Sequence, residues 1–270
     1  MDKPTRKGAR STKDITPEIQ RQLNNGETSS VNLTEWLAVD QRTLLAHLLQ
    51  QLDRQQYLKP VLSAAGQLKK QTVNTLNEVI GTTLLSLATT HQDQELLDKM
   101  MQHPADMVRC WATYTIGRHP ALSLAEKLQR IQVFAADDHF GVREICWMAV
   151  RPDIATHVKE SITILSTWTA HNNPYVRRFA TEATRPRGVW CEHIEVLKKE
   201  PSQALAILEP LKADEARYVQ DSVGNWLNDA GKTRPDFVQA LCQRWQQESD
   251  SKATAYIVKK ALRTLTKKTA

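Results

Sequence analysis

Apolar positions recur along most of this chain at three- and four-residue intervals, the spacing of helices that bury one face. Amphipathic stretches of helical length include SLAEKLQRIQVFA, HVKESITILSTWTA, SQALAILEPLKA and PDFVQALCQRWQQ. Between them a second pattern returns, in which a polar turn leads to a valine and then a helical run: ADMVRCWATYTIG, DHFGVREICWMAV, NNPYVRRFATEAT and DEARYVQDSVGNWL. The anchoring valines Val108, Val142, Val176 and Val219 are 34, 34 and 43 residues apart, and a weaker copy in AYIVKKAL places Val258 a further 39 along. Such periods fit two-helix repeats, each a partner helix, a short turn and a Val-anchored helix. Proline dipeptides at 103, 119, 151, 185, 200 and 234 punctuate the helices. Upstream, VNLTEWLAVDQRTLLAHLLQQL, PVLSAAGQLKKQTVNTLNEVIGTTLLSLATT and QELLDKMMQ are helical in a less regular register. The expectation is an all-α, right-handed solenoid of HEAT-like helix pairs with a concave binding face. Residues 16–265 would form one repeat domain, 1–15 a flexible basic tail and 266–270 a second tail.

Advancing 100° per residue from each anchoring valine brings offsets 0, 4, 7 and 8 together. These hold Val108/Ala112/Thr115/Ile116, Val142/Cys146/Ala149/Val150 and Val176/Ala180/Ala183/Thr184, the expected buried face. Offsets 2, 6 and 10 fall opposite and hold Glu144, Glu182 and Asp229, a diagonal row of three carboxylates when repeats stack. Around the row lie Arg143, Arg177, Arg178, Arg185 and Arg187, guanidinium groups suited to phosphate oxygens. Trp190 differs from the helical tryptophans: it follows RPRGV, where a loop would project its ring beside Arg187 as a stacking platform.

Composition narrows the chemistry. Charged residues are 24% and hydrophobic residues 41% of the 270, with a net charge of +6 that permits nucleic-acid binding without demanding it. Cys110, Cys146, Cys191 and Cys242 are far apart and lack metal-ligand spacing, so no metal, no cofactor and no disulfide framework is expected. No apolar run reaches membrane-spanning length and the basic N-terminus has no apolar core of a signal peptide; a cytoplasmic monomer is expected. Phosphate-loop, dinucleotide, zincin and nucleophile-elbow motifs are missing.

Four segments carry a resemblance. GVREICWMAVRP, NNPYVRRFATEATRPRGVW, ARYVQDSVGNWLNDAGKTRPD and the N-terminal KGARSTKDITPEIQ with VNLTEWLAVDQ resemble the AlkC branch of the AlkC/AlkD HEAT-like DNA glycosylases, over residues 7–247. The resemblance implies a monofunctional glycosylase that releases cationic N-alkylated bases such as N3-methyladenine from double-stranded DNA held in the concave channel. It places the active-site carboxylates at Glu144, Glu182 and Asp229, the row the helical phase selects, and lesion-proximal DNA contacts at Arg185, Arg187 and Trp190. The chain departs from the family pattern at Gly188-Val189, where Leu-Pro is common, at Gln220 and Asp221 in place of basic residues, and at Trp226 in place of His. The competing expectation is a non-catalytic HEAT module that binds DNA structures or proteins.

Overall fold

The structure is a computed structural model that describes residues 6–266. Those residues are helical throughout, with turns between. They fall into two compact units. The first takes the chain up to Leu122 together with Asp137–Ala149, and the second takes Ser123–Ala136 and everything from Val150 onward.

In the first unit lie α1 (Pro17–Asn24), α2 (Leu33–Ala38), α3 (Gln41–Gln51), α4 (Leu58–Gly66), α5 (Val73–His91), α6 (Gln94–Met101) and α7 (Asp106–Gly117). Helices α1, α2, α3, α5 and α6 start from side-chain caps: Thr16, Asn32, Asp40, Thr72 and Asp93 each accept backbone N–H groups that the first helical turn leaves unpaired. Val108 and Ala112 are fully buried and Thr115 and Ile116 nearly so, as the helical phase requires. Burial nevertheless runs round α7, because α5 and α6 both pack on it. A side chain at Gly117 would collide with the carbonyl of Ala149, so only glycine admits that close approach.

Of the segment expected to be a flexible tail, residues 1–5 lie outside the described residues, while 6–15 are held on α2. Arg6 forms a two-pronged ion pair with the buried Glu35 at 2.6 and 2.7 Å, and the Ala9 N–H donates to the same carboxylate at 3.0 Å. Residues 12–14 form one turn of 3-10 helix capped by Ser11. Of the second expected tail, Thr266 is described and 267–270 are not.

Helix α8 (Leu124–Ala135) belongs to the second unit; α9 (Phe140–Thr156) divides between the two at Ala149. Sequence punctuation expected a break at Arg151-Pro152, yet α9 continues four residues past the proline, whose exposed ring leaves one carbonyl of the preceding turn without its helical donor. Then follow α10 (Val158–Trp168), α11 (Pro174–Ala183), α12 (Glu195–Lys199), α13 (Leu205–Leu208), α14 (Arg217–Gly231), α15 (Pro235–Glu248) and α16 (Lys252–Leu262). Here α11, α14 and α16 are successive neighbours, their anchoring residues Val176, Val219 and Val258 buried. The helix expected over 202–213 is instead a short α13 between two 3-10 turns, because Pro201 and Pro210 interrupt it.

One device recurs at the turn before the Val-anchored helices. The arginine after the valine reaches back to the turn carbonyls, Arg109 to His103 and Pro104, Arg143 to Asp137 and Asp138, and Arg177 to His171 and Asn172. Arg109 and Arg177 also make two-pronged ion pairs with Asp137 and Asp214. Turn histidines complete the staple: His103, His139 and His171 each accept, at Nδ1, the N–H of the residue two positions on.

That histidine bond needs an unprotonated Nδ1. Burial, reinforced by the Arg109 guanidinium, pushes the His103 pKa down from 6.5 to about 4. The unfolded chain therefore takes up a proton between those values that the folded chain refuses. The contribution of a neutral His103 to stability is fully present above pH 6.5 and is lost as pH falls towards 4, by about 1–2 kcal/mol once its partial exposure to solvent is allowed for. Denaturant unfolding of the wild type and of His103→Asn, which keeps an acceptor but does not titrate, should show a shallower decline for the variant, in which His139, whose pKa burial also lowers, still titrates.

Candidate active site

The C-terminal ends of α11 and α14 carry the carboxylates Glu182 and Asp229, each only 3% exposed. Unpaired carbonyls at a helix C-terminus already make that end negative, so a buried carboxylate there requires a cation. Arg185 is shared by both. Its Nε and Nη2 donate to Asp229 Oδ2 at 2.9 and 2.6 Å, and its Nη1 to Glu182 Oε2 at 3.2 Å. Burial opposes the guanidinium charge, but the two carboxylates more than offset it and raise the Arg185 pKa above its ordinary value. The remaining carboxylate oxygens are held as well. Ser222 donates to Glu182 Oε1 at 2.8 Å, with Arg178 3.6 Å from the same oxygen, and Lys232 Nζ donates to Asp229 Oδ1 at 2.9 Å.

Opposite the apolar stripe, where helical phase by itself leads one to expect solvent, both acids are instead buried. They lie away from the valine core, as the phase indicated, but beneath their own cations. Lys232 was not singled out from sequence; its spacing three residues after Asp229, one helical turn on, was the available signal.

Between α11 and α12 the chain forms the loop containing Arg185, Arg187 and Trp190. Arg151, itself buried, secures it by donating to the carbonyls of Ala183, Arg185 and Glu192. A side chain at Gly188 would collide with Cys191 and press on the Arg151 guanidinium, which explains a glycine at that departure from the family pattern. Arg187 Nη2 donates to Thr233 Oγ1 at 2.9 Å, so the loop meets the end of α14 at two points, Arg185 on Asp229 and Arg187 on Thr233. Trp190 is 74% exposed and has φ of 59°, a left-handed backbone that a bulky residue rarely adopts without support. Arg178 lies over the Tyr218 ring, 4.2 Å from its centroid.

Arg143 and Arg177, expected at phosphates, are instead occupied in the turn staples. Arg177 is held by Asp214, which raises its pKa, and its side chain is 12% exposed. Gln220 occupies the equivalent position in α14 and donates to the carbonyls of Asp214 and Glu215, so this departure keeps the staple's turn bonds. Glu144, on the part of α9 in the first unit, accepts from the Trp147 indole at 3.1 Å.

Other chemistry finds little support. Ser30, His139 and Asp106 cluster in the first unit, but Ser30 Oγ (3.1 Å) and Asp106 Oδ2 (3.3 Å) both meet His139 Nε2, while Nδ1 takes the Gly141 N–H. A relay needs serine and aspartate on opposite ring nitrogens, so this is a staple. Among the described residues no three His, Cys, Asp or Glu gather as a metal site, and no helix is long and apolar enough to cross a membrane.

The sequence model of the family described as DNA alkylation repair enzyme matches residues 72–265. Over 120 residues, 44% of this chain, the sequence is 42% identical to the uncharacterized protein YhaZ of Bacillus subtilis (strain 168), and the match spans 33% of that protein's length. The structure is similar to that of the alkylpurine DNA glycosylase AlkC of Pseudomonas fluorescens bound to DNA containing an abasic site analog. The TM-score is 0.68 at 20% identity, covering 96% of this chain and 66% of that one. AlkD2 from Streptococcus mutans gives a TM-score of 0.60 at 24% identity, covering 76% of this chain and 97% of that one. At these identities the likeness is one of fold, the HEAT-like helical architecture expected from the repeat.

The staples make a prediction that separates them from phosphate contacts. Arg177→Ala leaves the buried Asp214 carboxylate without its guanidinium and should cost about 2–4 kcal/mol in denaturant unfolding. Arg177→Gln, which imitates Gln220, should recover part of that loss.

Proposed function

We propose that this chain, which belongs to the DNA alkylation repair enzyme family, is a DNA glycosylase that hydrolyses the N-glycosidic bond of cationic N-alkylated bases, of which N3-methyladenine is the type. The observation that carries this reading is the pair of buried carboxylates, Glu182 and Asp229, joined by Arg185 beside a loop that exposes Trp190.

Alkylation at a ring nitrogen leaves the base positively charged, so the bond to the sugar is weakened without an acid to protonate the leaving group. What a catalyst must supply is negative field for the sugar cation and a base for the attacking water. Two carboxylates at the C-terminal ends of α11 and α14 supply the field; burial shields it from bulk water, while the shared Arg185 offsets part of it. Arg185 grips Asp229 Oδ2 with two N–H groups and so fixes the carboxylate plane, making Oδ1 the oxygen for the water's proton. Arg187 and Trp190 are read as contacts to double-stranded DNA around the lesion, and Arg178 as a contact further along the backbone. The motif resemblance also assigns Glu144 as a catalytic carboxylate. No lysine is assigned a nucleophilic role, so strand cleavage through a Schiff base is not part of this reading.

Incubating the protein with methylated duplex DNA and following released bases tests the activity. Cationic lesions should be excised while uracil, a neutral base, should persist in the same duplex. Equal release of both would sink the electrostatic account, and DNA binding without any release would favour the non-catalytic module.

Asp229→Asn removes the charge and nearly preserves the shape. Base release should slow by at least ~100-fold, the usual scale for losing one such group. Because Asp229 is buried and ion-paired, the substitution should also lower stability by about 1–3 kcal/mol, so rates belong well below the unfolding temperature. Near-normal release by a folded variant would move the base role to Glu182 or Glu144.

A further inference from the structure

The glycosylase reading asks Asp229 Oδ1 to accept a proton from water, yet in this structure Lys232 Nζ sits on that oxygen at 2.9 Å. The carboxylate's two partners are unequal. Arg185 is 12% exposed, tied to Asp229 through two nitrogens and to Glu182 through a third. Lys232 is 43% exposed and makes a single contact here, through an ammonium on a flexible four-carbon stem. A planar guanidinium bonded on three nitrogens cannot leave one carboxylate without breaking the other contact, whereas an ammonium can turn to a new anion by rotating its stem. The next residue, Thr233, holds Arg187, which the reading places against DNA. Lys232 is thus on the Asp229 side of the loop that would meet phosphates.

We propose that Lys232 is an electrostatic latch on the catalytic carboxylate, closed on Asp229 in the free protein and drawn off to a DNA phosphate when duplex is bound. Only the lysine end of this pair is exposed, and Asp229 keeps Arg185 when Lys232 leaves, so exchanging one anionic partner of the ammonium for another is close to balanced. The incoming phosphate supplies the bias, and its approach bares Oδ1 only when substrate is present. Without DNA the buried carboxylate keeps its second cation; with DNA it keeps Arg185 alone, enough to orient it but leaving lone pairs on Oδ1 for water. Lys232 is a positioning residue, acting through Asp229 and the phosphate.

This inference rests on the glycosylase reading, and its test separates the two. Lys232→Met keeps the stem and removes the charge; Lys232→Arg restores the charge. Each full chain is titrated with undamaged duplex over a range of salt, and single-turnover base release from methylated duplex is measured at saturating protein. The latch predicts that Lys232→Met lowers affinity and reduces the slope of log affinity against log salt by about one, with Lys232→Arg recovering it. It also predicts a saturated release rate equal to that of the wild type or up to a few-fold faster, since the methionine variant has nothing to unlatch. An unchanged salt slope overturns the proposal, because Lys232 then meets no phosphate. A saturated rate tenfold or more slower overturns it too, because Lys232 then holds Asp229 in its working position. Should wild-type protein bind duplex and release no base, the glycosylase reading fails, and the salt slope still decides whether Lys232 transfers to phosphate.

Discussion

Arg185 stands between two carboxylates that could not be buried without it. Glu182 and Asp229 end helices whose terminal carbonyls are already negative, and neither side chain has water enough to solvate its charge. The guanidinium fork answers both with three N–H groups, and a lysine, with one point charge, would not span them in the same way. Much of the surrounding structure serves to put that fork in place. Arg151 grips the carbonyl of Arg185 itself and those of Ala183 and Glu192, so the loop leaves α11 in one direction. Its own pKa is lowered, chiefly by burial and then by Arg185 close by, a cost that its carbonyl bonds offset.

The turn staples do comparable work for the helices beneath. Helices α7, α9 and α11 each begin from a turn whose carbonyls Arg109, Arg143 and Arg177 close from inside the following helix. The device explains why an arginine follows the valine in three copies. It also explains why Gln220 suffices in the fourth: an amide N–H reaches the same carbonyls, while Asp214 is already held by Arg177. A residue type suited to phosphate is thus used for architecture, and the helical register alone does not distinguish the two uses.

That limit describes how the sequence could be read. Periodicity located α8, α10 and α15 closely, and the valine phase found the buried stripe of α7, α9 and α11. It also set Glu182 and Asp229 apart from the apolar stripe, which is why they stood out. What periodicity could not convey was a polar burial, because the cations that cover these acids come from a loop and from a position beyond the helix end, outside the 3.6-residue pattern. Proline likewise misled at Pro152, where an exposed ring is tolerated, and informed at Pro201 and Pro210, where two prolines in ten residues leave only 3-10 turns around α13. The N-terminal residues looked like a tail by charge, yet Arg6 pairs with an acid that lies 29 residues away and inside α2, a contact no local rule anticipates.

Trp226 shows how a departure from a family pattern can change its meaning once packing is known. Where the resemblance leads one to expect a histidine, this chain has a fully buried indole, and its Nε1 donates to the carbonyl of Thr184 at 3.0 Å. Thr184 caps α11 and directly precedes Arg185. The indole therefore takes up one of the orphan carbonyls at the very helix end that carries Glu182, lessening the negative charge there and fixing the backbone from which Arg185 departs. This departure acts through the helix terminus. It reaches the carboxylates by way of the guanidinium that both of them share.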